Sequence, residues 1–323
     1  ELGQPSPEAH PHLLKAGEVT RGVSRSTYEL RRLKLASMLP EGGVAFVAGY
    51  GLRYMTRGIF YPFHQNTDLV YLTGLLEPDS AMLIERVGAS SRGYRLTMFV
   101  RPRNKNTEMW DGPSAGLEGA KRFFGADEAK PIESLPNYID DLLDSSTNIF
   151  TDLPMAQPTA NPFKSTHIRF GSGHANSTLG HDPSITSLRE LVDALRLIKG
   201  TEEVALMNQA GRIAGEGFAE RTKPGITEHQ LYALVDFEVR NRGAECLGYV
   251  PVVAGGKNAL SIHYVKNNQI LRDGDMVLVD AGAEVGGYCS DITRTWPVNG
   301  KFTRGQRELY EAVLRTQKAC IKV

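Results

Sequence analysis

Cysteine, net charge and long apolar runs are scarce or missing in this 323-residue sequence. The three cysteines, Cys246, Cys289 and Cys320, show no C-x-x-C spacing, which argues against a disulfide framework and indicates a reducing compartment. Lys plus Arg and Asp plus Glu both number 37, so the zero net charge argues against a nucleic-acid partner. No apolar run approaches the ~18 residues of a membrane span, so none is predicted.

Several catalytic motifs are also absent. The sequence contains no nucleophile elbow, no H-E-x-x-H zinc motif and no dinucleotide fingerprint. Gly255-Gly256-Lys257 lacks the G-x-x-x-x-G-K-[ST] frame of a phosphate loop, and no helix is predicted directly after it. We therefore assign no nucleotide site to this segment.

The patterns that are present predict an α/β (α+β) fold in two domains. The length is sufficient for two domains, and helical periodicity alternates with short apolar or β-branched runs. We predict an extended arm or a disordered tail over 1–22 and an α/β domain over 23–157. A linker rich in Ser, Thr, Gly and Pro follows over 158–186, and a second domain that begins with helices spans 187–323.

Local signals predict individual elements within these domains. A helix is expected over Thr27–Leu39 with Ser26 as its N-cap, and Asp68–Leu72 is a strand candidate. In the second domain Thr227 is expected to cap a helix, with Gln230 at the capping-box position.

Isolated histidines and Trp110 receive structural interpretations. His64 is interpreted as a hydrogen-bonded structural residue, and Trp110 as a half-buried packing residue that could edge a binding surface. No acidic or thiol cluster accompanies the remaining candidates, so no metal role is assigned to His10, His12, His167, His174 and His181.

The stretch Asp273–Gly300 contains the sharpest chemical signal. Met276–Asp280 and Tyr288–Trp296 are predicted strands joined by a glycine-containing turn. If the turn is centred on Val285-Gly286, Asp280 and Asp291 lie directly opposite each other, with Cβ atoms roughly 4.5–5.5 Å apart. Two carboxylates at about 5 Å repel by roughly 3 kcal/mol at an effective dielectric of about 20.

Such a pair persists only if a proton is shared or a cation lies between the carboxylates. A divalent cation would need further oxygen or imidazole ligands, and His263, seventeen residues before Asp280, is the nearest candidate ligand or hydrogen-bond donor. Simpler alternatives remain open, because Asp291 could pair with Arg294 or Lys301 and Asp280 could cap a turn.

Three motifs in this half resemble a known family: H-Y-V-K-N-N-Q, D-G-D-M-V-L-V-D-A-G and S-D-I-T-R-T-W-P-V-N-G-K-F. They resemble the aminopeptidase P branch of the creatinase/methionine-aminopeptidase ("pita-bread") metallopeptidases. The resemblance extends to F-H-Q-N-T-D-L-V-Y-L-T-G-L-L-E-P-D-S in the first domain and to L-R-L-I-K-G-T-E-E at the junction. The opening G-Q-P-S-P-E-A-H-P-H-L-L-K-A-G-E-V-T is most similar to the mitochondrial intermediate-cleaving peptidase/aminopeptidase P3 members.

This resemblance implies a dinuclear-metal aminopeptidase that removes one N-terminal residue from peptides or imported proteins. Its preferred substrates would begin with an X-Pro sequence or with a bulky residue. It implies two divalent ions, usually Mn²⁺, with Asp280 matching a chelating aspartate and Asp291 the bridging one. His263 matches the histidine that stabilises the tetrahedral intermediate, which forms when a metal-bridging hydroxide attacks the scissile carbonyl. A homo-oligomer (dimer or tetramer) and a mitochondrial location, or alternatively a cytoplasmic one, are also implied.

The sequence departs from the family pattern in one respect. The resemblance implies three further ligands, one histidine and two glutamates, after the second aspartate. No histidine follows Asp291, and Glu308 and Glu311 lie in the helix predicted next. We therefore expect an incomplete catalytic domain, as a fragment or a truncated form, with little or no peptidase activity alone. The alternatives are a non-catalytic peptide- or protein-binding module and a prolidase- or creatinase-like hydrolase.

Overall fold

The structure is a computed structural model that describes residues 2–145, 148–152, 184–215 and 221–322. The chain forms two compact units, Glu1–Gly200 and Thr201–Val323. None of the helices in these described ranges combines the length and apolar character that crossing a bilayer requires. The predicted histidine positions 167, 174 and 181 and most of the predicted linker lie outside the described residues.

The first unit contains a mixed sheet and the helices that cover it. Its helices are α1 (Arg25–Met38), α2 (Thr67–Thr73), α3 (Lys105–Asp111), α4 (Gly116–Arg122), α5 (Leu135–Ser145) and α6 (Arg189–Leu197). Its strands are β1 (Glu18–Thr20), β2 (Val23–Ser24), β3 (Val44–Ala48), β4 (Tyr54–Thr56), β5 (Ile59–Phe60), β6 (Ala81–Arg86), β7 (Tyr94–Val100), β8 (Glu128–Pro131), β9 (Asn148–Phe150) and β10 (Ser184–Thr186).

Six strands form the main sheet of this unit in the order β10-β9-β3-β6-β7-β8. The central pairs β3–β6 and β6–β7 are antiparallel, whereas β10–β9, β9–β3 and β7–β8 are parallel. On one face Phe46, Leu83 and Phe99 pack with Leu135 and Ile139 of α5, and α1 packs on β6 and β7. Because both faces are covered, the central strands β3, β6 and β7 are mostly apolar, and the α/β prediction is confirmed.

Residues 2–22 lie against this unit as an extended arm. The buried side chain of Gln4 donates to the carbonyl oxygen of Gly74 at 2.9 Å and accepts from the Leu76 amide at 2.7 Å. The amide of Gly3 donates to Oε1 of the buried Glu77 at 2.9 Å. The arm is therefore attached to the rest of the unit by two buried polar side chains. Gln4 of the arm binds backbone groups of the unit, and Glu77 of the unit binds a backbone amide of the arm.

Several local predictions for this unit are wrong in detail. The Asp68–Leu72 segment belongs to helix α2, not to a strand: the Asn66 side chain caps its start, and Gly74 ends it in the left-handed conformation (φ 75°). The N-cap of α1 is Ser24 rather than Ser26, and its hydroxyl accepts from the Thr27 amide at 3.4 Å. Trp110 is 82% exposed instead of half-buried, because it lies on the short outer helix α3, which has no buried residue.

The division between the two compact units falls after Gly200. Helix α6 belongs to the first unit because the Tyr71 hydroxyl donates to the Leu195 carbonyl at 3.2 Å and Arg196 pairs with Asp68 at 2.6 Å. The predicted domain bounds themselves stay predictions.

The second unit contains three α-helices and six strands in the described ranges. They are α7 (Thr201–Ala214), α8 (Glu228–Asn241), α9 (Arg304–Cys320), β11 (Cys246–Leu247), β12 (Val252–Gly255), β13 (Met276–Ala281), β14 (Ala283–Val285), β15 (Tyr288–Cys289) and β16 (Ile292–Pro297). The strands form two sheets, β12-β13-β16 and β11-β14-β15. The capping box of Thr227 and Gln230 at the start of α8 is confirmed.

Candidate metal centre

Asp280 lies near the end of the central strand of its sheet. In β13 its backbone pairs with Val252 of β12 on one side and with Thr293 of β16 on the other. The side chain is half-buried. Because strands flank β13 on both sides, the backbone that carries this carboxylate is held by two hydrogen-bonded ladders.

The predicted register between Asp280 and Asp291 is wrong by two residues. Asp280 opposes Thr293, because the turn is centred on Gly286-Gly287 instead of Val285-Gly286. Both glycines have positive φ (58° and 81°), the requirement of a two-residue hairpin turn. Asp291 lies outside the ladder, directly before β16 begins at Ile292, and its side chain is exposed.

The backbone at Asp291 is fixed by its neighbour Ser290. The Ser290 hydroxyl accepts from the Ala283 amide and donates to the Ala210 carbonyl of α7, both at 3.0 Å. A Cβ atom on Gly282 would lie 1.9 Å from the Ser290 carbonyl oxygen. A glycine at 282 is therefore what allows the segment before Asp291 to lie so close to the end of β13.

Tyr249 brings the two aspartates into one cluster that the sequence did not predict. Its hydroxyl is hydrogen-bonded to Oδ1 of Asp280 and lies 3.0 Å from Oδ1 of Asp291. Two carboxylate oxygens that share one hydroxyl neighbour lie no more than about 6 Å apart, the sum of two hydrogen-bond lengths of about 3 Å. The pairing of the carboxylates is therefore produced through Tyr249 and not by cross-strand register.

The charges in this cluster are not balanced by basic side chains. In the described residues neither Asp280 nor Asp291 forms an ion pair, and Arg294 instead donates to the Thr293 carbonyl at 2.8 Å. One hydroxyl carries one proton, so Tyr249 can donate to only one of the two carboxylates at a time. Burial and both carboxylates raise the pKa of the Tyr249 hydroxyl above its ordinary value of 10, which keeps that proton in place. The carboxylate that does not receive this proton is open to water or to a cation.

His263 lies on the segment that follows the 3-10 helix Gly256–Leu260, and its side chain is exposed. Among the described residues it forms no hydrogen bond or ion pair with either aspartate. His64, in the first unit, makes a structural contact as predicted, with Nδ1 2.9 Å from the Gln65 carbonyl oxygen.

The donor chemistry of the cluster suits a hard divalent cation. Two carboxylates and a hydroxyl supply oxygen, the donor that Mg²⁺, Ca²⁺ and Mn²⁺ favour. Within the described ranges, however, no group of three or more His, Cys, Asp or Glu side chains could hold a metal ion. Asp280 and Asp291 therefore fit as part of a metal site whose other ligands are not assigned.

Comparison with known proteins gives matches over both units. Residues 28–150 match the family "Aminopeptidase P, N-terminal domain", and residues 205–323 match "Metallopeptidase family M24". The chain is 40% identical over 336 residues to Xaa-Pro aminopeptidase 3 of Rattus norvegicus, covering 99% of this chain and 65% of the relative. It is 38% identical over 325 residues to "Intermediate cleaving peptidase 55, mitochondrial" of Arabidopsis thaliana, covering 100% of this chain and 63% of the relative.

A solved structure matches in the same way. The crystal structure of Icp55 from Saccharomyces cerevisiae, with an N-terminal 58-residue deletion, superimposes with a TM-score of 0.80 at 35% identity. The match covers 95% of this chain and 69% of that one. The chain thus spans about two thirds of the length of the proteins it matches.

Proposed function

Because the chain belongs to the aminopeptidase P family of the M24 metallopeptidases, we propose that it forms part of a metallo-aminopeptidase. The proposed reaction removes a single N-terminal residue from a peptide or from an imported protein. The observation that carries the proposal is the Asp280–Tyr249–Asp291 cluster, where two carboxylates meet without a basic partner in the described residues. The relatives' names, Xaa-Pro aminopeptidase and intermediate cleaving peptidase, support this reaction class.

Asp280 and Asp291 are the residues that we propose for binding two divalent ions, with Mn²⁺ as the proposed metal. When bound, such ions lower the pKa of a water molecule and offset the negative charge that develops on a scissile carbonyl oxygen. Tyr249 donates its proton to one carboxylate and so fixes the orientation of that side chain. The acidic cluster also attracts the protonated amino terminus of a substrate, which agrees with removal of one residue at a time.

His263 is proposed as a hydrogen-bond donor to the substrate oxygen that gains negative charge. Its exposed imidazole is accessible to a ligand, and its segment leads into the strand that carries Asp280. A donor aimed at a developing oxyanion contributes most when its backbone is held rigidly. Removal of the imidazole should therefore lower kcat more than it changes KM.

The deciding experiment measures metal uptake and product release together. The active form of the protein is stripped with a chelator, supplied with Mn²⁺ and assayed with an X-Pro peptide, a peptide with a bulky first residue, an X-Pro dipeptide and creatine. We expect single-residue release that depends on Mn²⁺ and is lost, with the metal, in Asp291→Ala. Full metal stoichiometry in that variant would overturn the assignment, and turnover of the dipeptide or creatine alone would favour a prolidase- or creatinase-like enzyme.

The 323-residue polypeptide itself is proposed to release N-terminal residues slowly or not at all. Its described residues supply two carboxylates to the metal, fewer than a divalent ion needs for a stable site. Rapid Mn²⁺-dependent release by this polypeptide would contradict the proposal. Tight peptide binding without turnover in every form of the protein would favour the non-catalytic binding module instead.

A mitochondrial location is proposed from the same relatives, one of which carries that word in its name. Fractionation of cells expressing the native protein tests it, and recovery in the cytoplasmic fraction would contradict it. A homo-oligomer, dimer or tetramer, is proposed from the family alone, and light scattering of the purified protein tests it.

A further inference from the structure

Glu228 is a buried carboxylate that the proposed reaction does not use. It is the first residue of α8 and is 0% exposed. Its two oxygens accept four hydrogen bonds of 2.8–2.9 Å, all from one downstream stretch: from the Gly255 amide, Asn258 Nδ2, the Tyr264 hydroxyl and the Gln269 amide. In the described part of the chain it forms no ion pair, so donors from residues 255–269 compensate its charge.

A buried carboxylate without a cation is costly unless hydrogen bonds replace the water it loses. The position of Glu228 at the start of α8 reduces that cost, because the first turn of a helix favours negative charge. The backbone adds two further links: the Glu228 amide donates to the Gln269 carbonyl at 2.8 Å, and Thr227 pairs with Ile270. Residues 255–270 are thus folded around this one side chain.

This stretch has few other means of holding its shape. Between the 3-10 helix and β13 it contains no strand, and Leu260 and Ile262 are 86% and 85% exposed. A second anchor is Asn267, whose side chain accepts from the Val253 amide and donates to the Pro251 carbonyl, both at 2.9 Å. In sequence, His263 lies between Asn258, which donates to Glu228, and Asn267. It directly precedes Tyr264, whose hydroxyl donates to Glu228.

We propose that Glu228 is a positioning residue for His263. Its carboxylate fixes Tyr264 and the backbone on both sides of it, and this keeps the imidazole of His263 at one place on an otherwise exposed segment. The inference rests on the proposed function for what His263 does. It rests on the hydrogen bonds above for how His263 is held.

Hydrogen exchange tests the structural half without any enzyme assay. Glu228→Gln replaces an acceptor oxygen with an NH₂ group, so at least one of the two amides that Glu228 binds loses its partner. We expect amide exchange across 255–270 to quicken by about 10-fold or more, the effect of losing a hydrogen bond to a charged group. Tyr264→Phe keeps the ring but removes the hydroxyl, which donates to Glu228 and accepts from Asn258 Nδ2. This variant should quicken exchange in the same residues if Glu228→Gln proves too unstable to purify.

Glu238→Gln is the matched control. Glu238 lies on the same helix and is 8% exposed, but it pairs with Arg221 and Arg242 instead of with residues 255–270. In the Glu238→Gln variant, amide hydrogen exchange across 255–270 should be as fast as in the wild type. Unchanged exchange in both Glu228→Gln and Tyr264→Phe, or equal quickening in Glu238→Gln, would overturn the proposal.

A double-mutant cycle tests the link to His263 in whichever form of the protein releases N-terminal residues. We expect Tyr264→Phe to lower kcat about 10-fold on the wild-type background and to have no further effect on kcat in His263→Ala. Equal losses on both backgrounds would show a general structural role and overturn the positioning of His263. If no form is active while exchange quickens as expected, the proposed function fails and the anchoring by Glu228 stands.

Discussion

The hydroxyl oxygen of Tyr249 lies 3.0 Å from Oδ1 of Asp291, and the same hydroxyl is hydrogen-bonded to Asp280. Tyr249 precedes β12, Asp280 is the last residue but one of β13 and Asp291 precedes β16, so one side chain connects all three strands of this sheet at one end. Mutation of the groups that fix the orientation of a metal ligand typically lowers metal affinity by about 10- to 100-fold. This relationship makes Tyr249 the first residue to test.

Tyr249→Phe is expected to weaken Mn²⁺ binding by about 10- to 100-fold, because the carboxylates lose the donor that orients them. The ring remains, so the unfolding temperature should change little. Titration with Mn²⁺ followed by calorimetry measures the affinity. Tyr50→Phe, at a tyrosine of the first unit that is 51% exposed, is the control and should bind as the wild type does. Equal affinity in both variants would remove Tyr249 from the site.

Asp291→Asn is expected to stabilise the metal-free protein while abolishing its response to metal. Two carboxylates about 6 Å apart repel by roughly 3 kcal/mol at an effective dielectric of about 20 and by roughly 0.7 kcal/mol in bulk water, and the neutral amide removes that repulsion. Thermal unfolding with and without Mn²⁺ measures both effects. The exposed Asp140 of α5 supplies the control, since Asp140→Asn should alter neither value. Loss of stability in metal-free Asp291→Asn would argue that no repulsion exists between these residues.

Residue patterns predicted this cluster only in part. The capping box of Thr227 and Gln230 near the site is predicted correctly, because four consecutive residues contain the whole signal. The carboxylate pair was found, but the register was misplaced, since Val285-Gly286 and Gly286-Gly287 are both plausible turn centres and only the backbone angles decide between them. Tyr249 was missed because it lies 31 residues before Asp280, and tertiary packing alone brings the two together.

The Asp68–Leu72 segment shows a different limit. Its five residues are compatible with either a strand or a buried helix, and short apolar runs do not separate the two by periodicity. The signals that decide lie outside it: Asn66 caps the helix and Gly74 terminates it. Cap residues on both sides of a short apolar run are thus better evidence than the run itself.

Glu77→Gln should change the pH dependence of stability in the first unit. Burial raises the pKa of the Glu77 carboxyl above its ordinary 4.5, so the folded state holds this proton more tightly than the unfolded state. The contribution of this proton to the free energy of unfolding is fully present below about pH 4.5. It is lost as the pH rises through the pKa of Glu77 in the folded state. Removing the charge should therefore stabilise the variant relative to wild type at pH 7 more than at pH 4.

Denaturant unfolding of both proteins at several pH values measures this difference. The amides of Gly3 and Ala115 both donate to Oε1 of Glu77, and the carbonyl oxygen of glutamine can accept both bonds. Glu77→Ala is the contrasting variant, because it leaves both donors without their acceptor and should expose residues 2–22 to protease. A difference between Glu77→Gln and wild type that does not vary with pH would contradict the assignment.

Gly282→Ala should separate the two aspartates by displacing the backbone between them. The new Cβ atom would lie 1.9 Å from the Ser290 carbonyl oxygen and 2.8 Å from Cε1 of Tyr249, closer than non-bonded atoms can approach. One contact is with backbone, so the chain must move at Ser290, directly before Asp291. We expect a loss of about 2–3 kcal/mol in the free energy of unfolding, the upper part of the range for overpacking.

Gly211→Ala separates this steric effect from the general effect of replacing glycine. Gly211 lies inside α7, and a Cβ atom there would meet nothing within 4 Å. Alanine in a helix interior is favoured over glycine by about 1 kcal/mol, so this variant should be more stable than wild type. The two substitutions are thus predicted to change the free energy of unfolding of the same unit in opposite directions.

Since the overlap at Gly282 involves both Ser290 and Tyr249, Gly282→Ala should also lose Mn²⁺ affinity, whereas Gly211→Ala should keep it. Wild-type stability and affinity in Gly282→Ala would show that the close approach at Ser290 is not required for the proposed metal site.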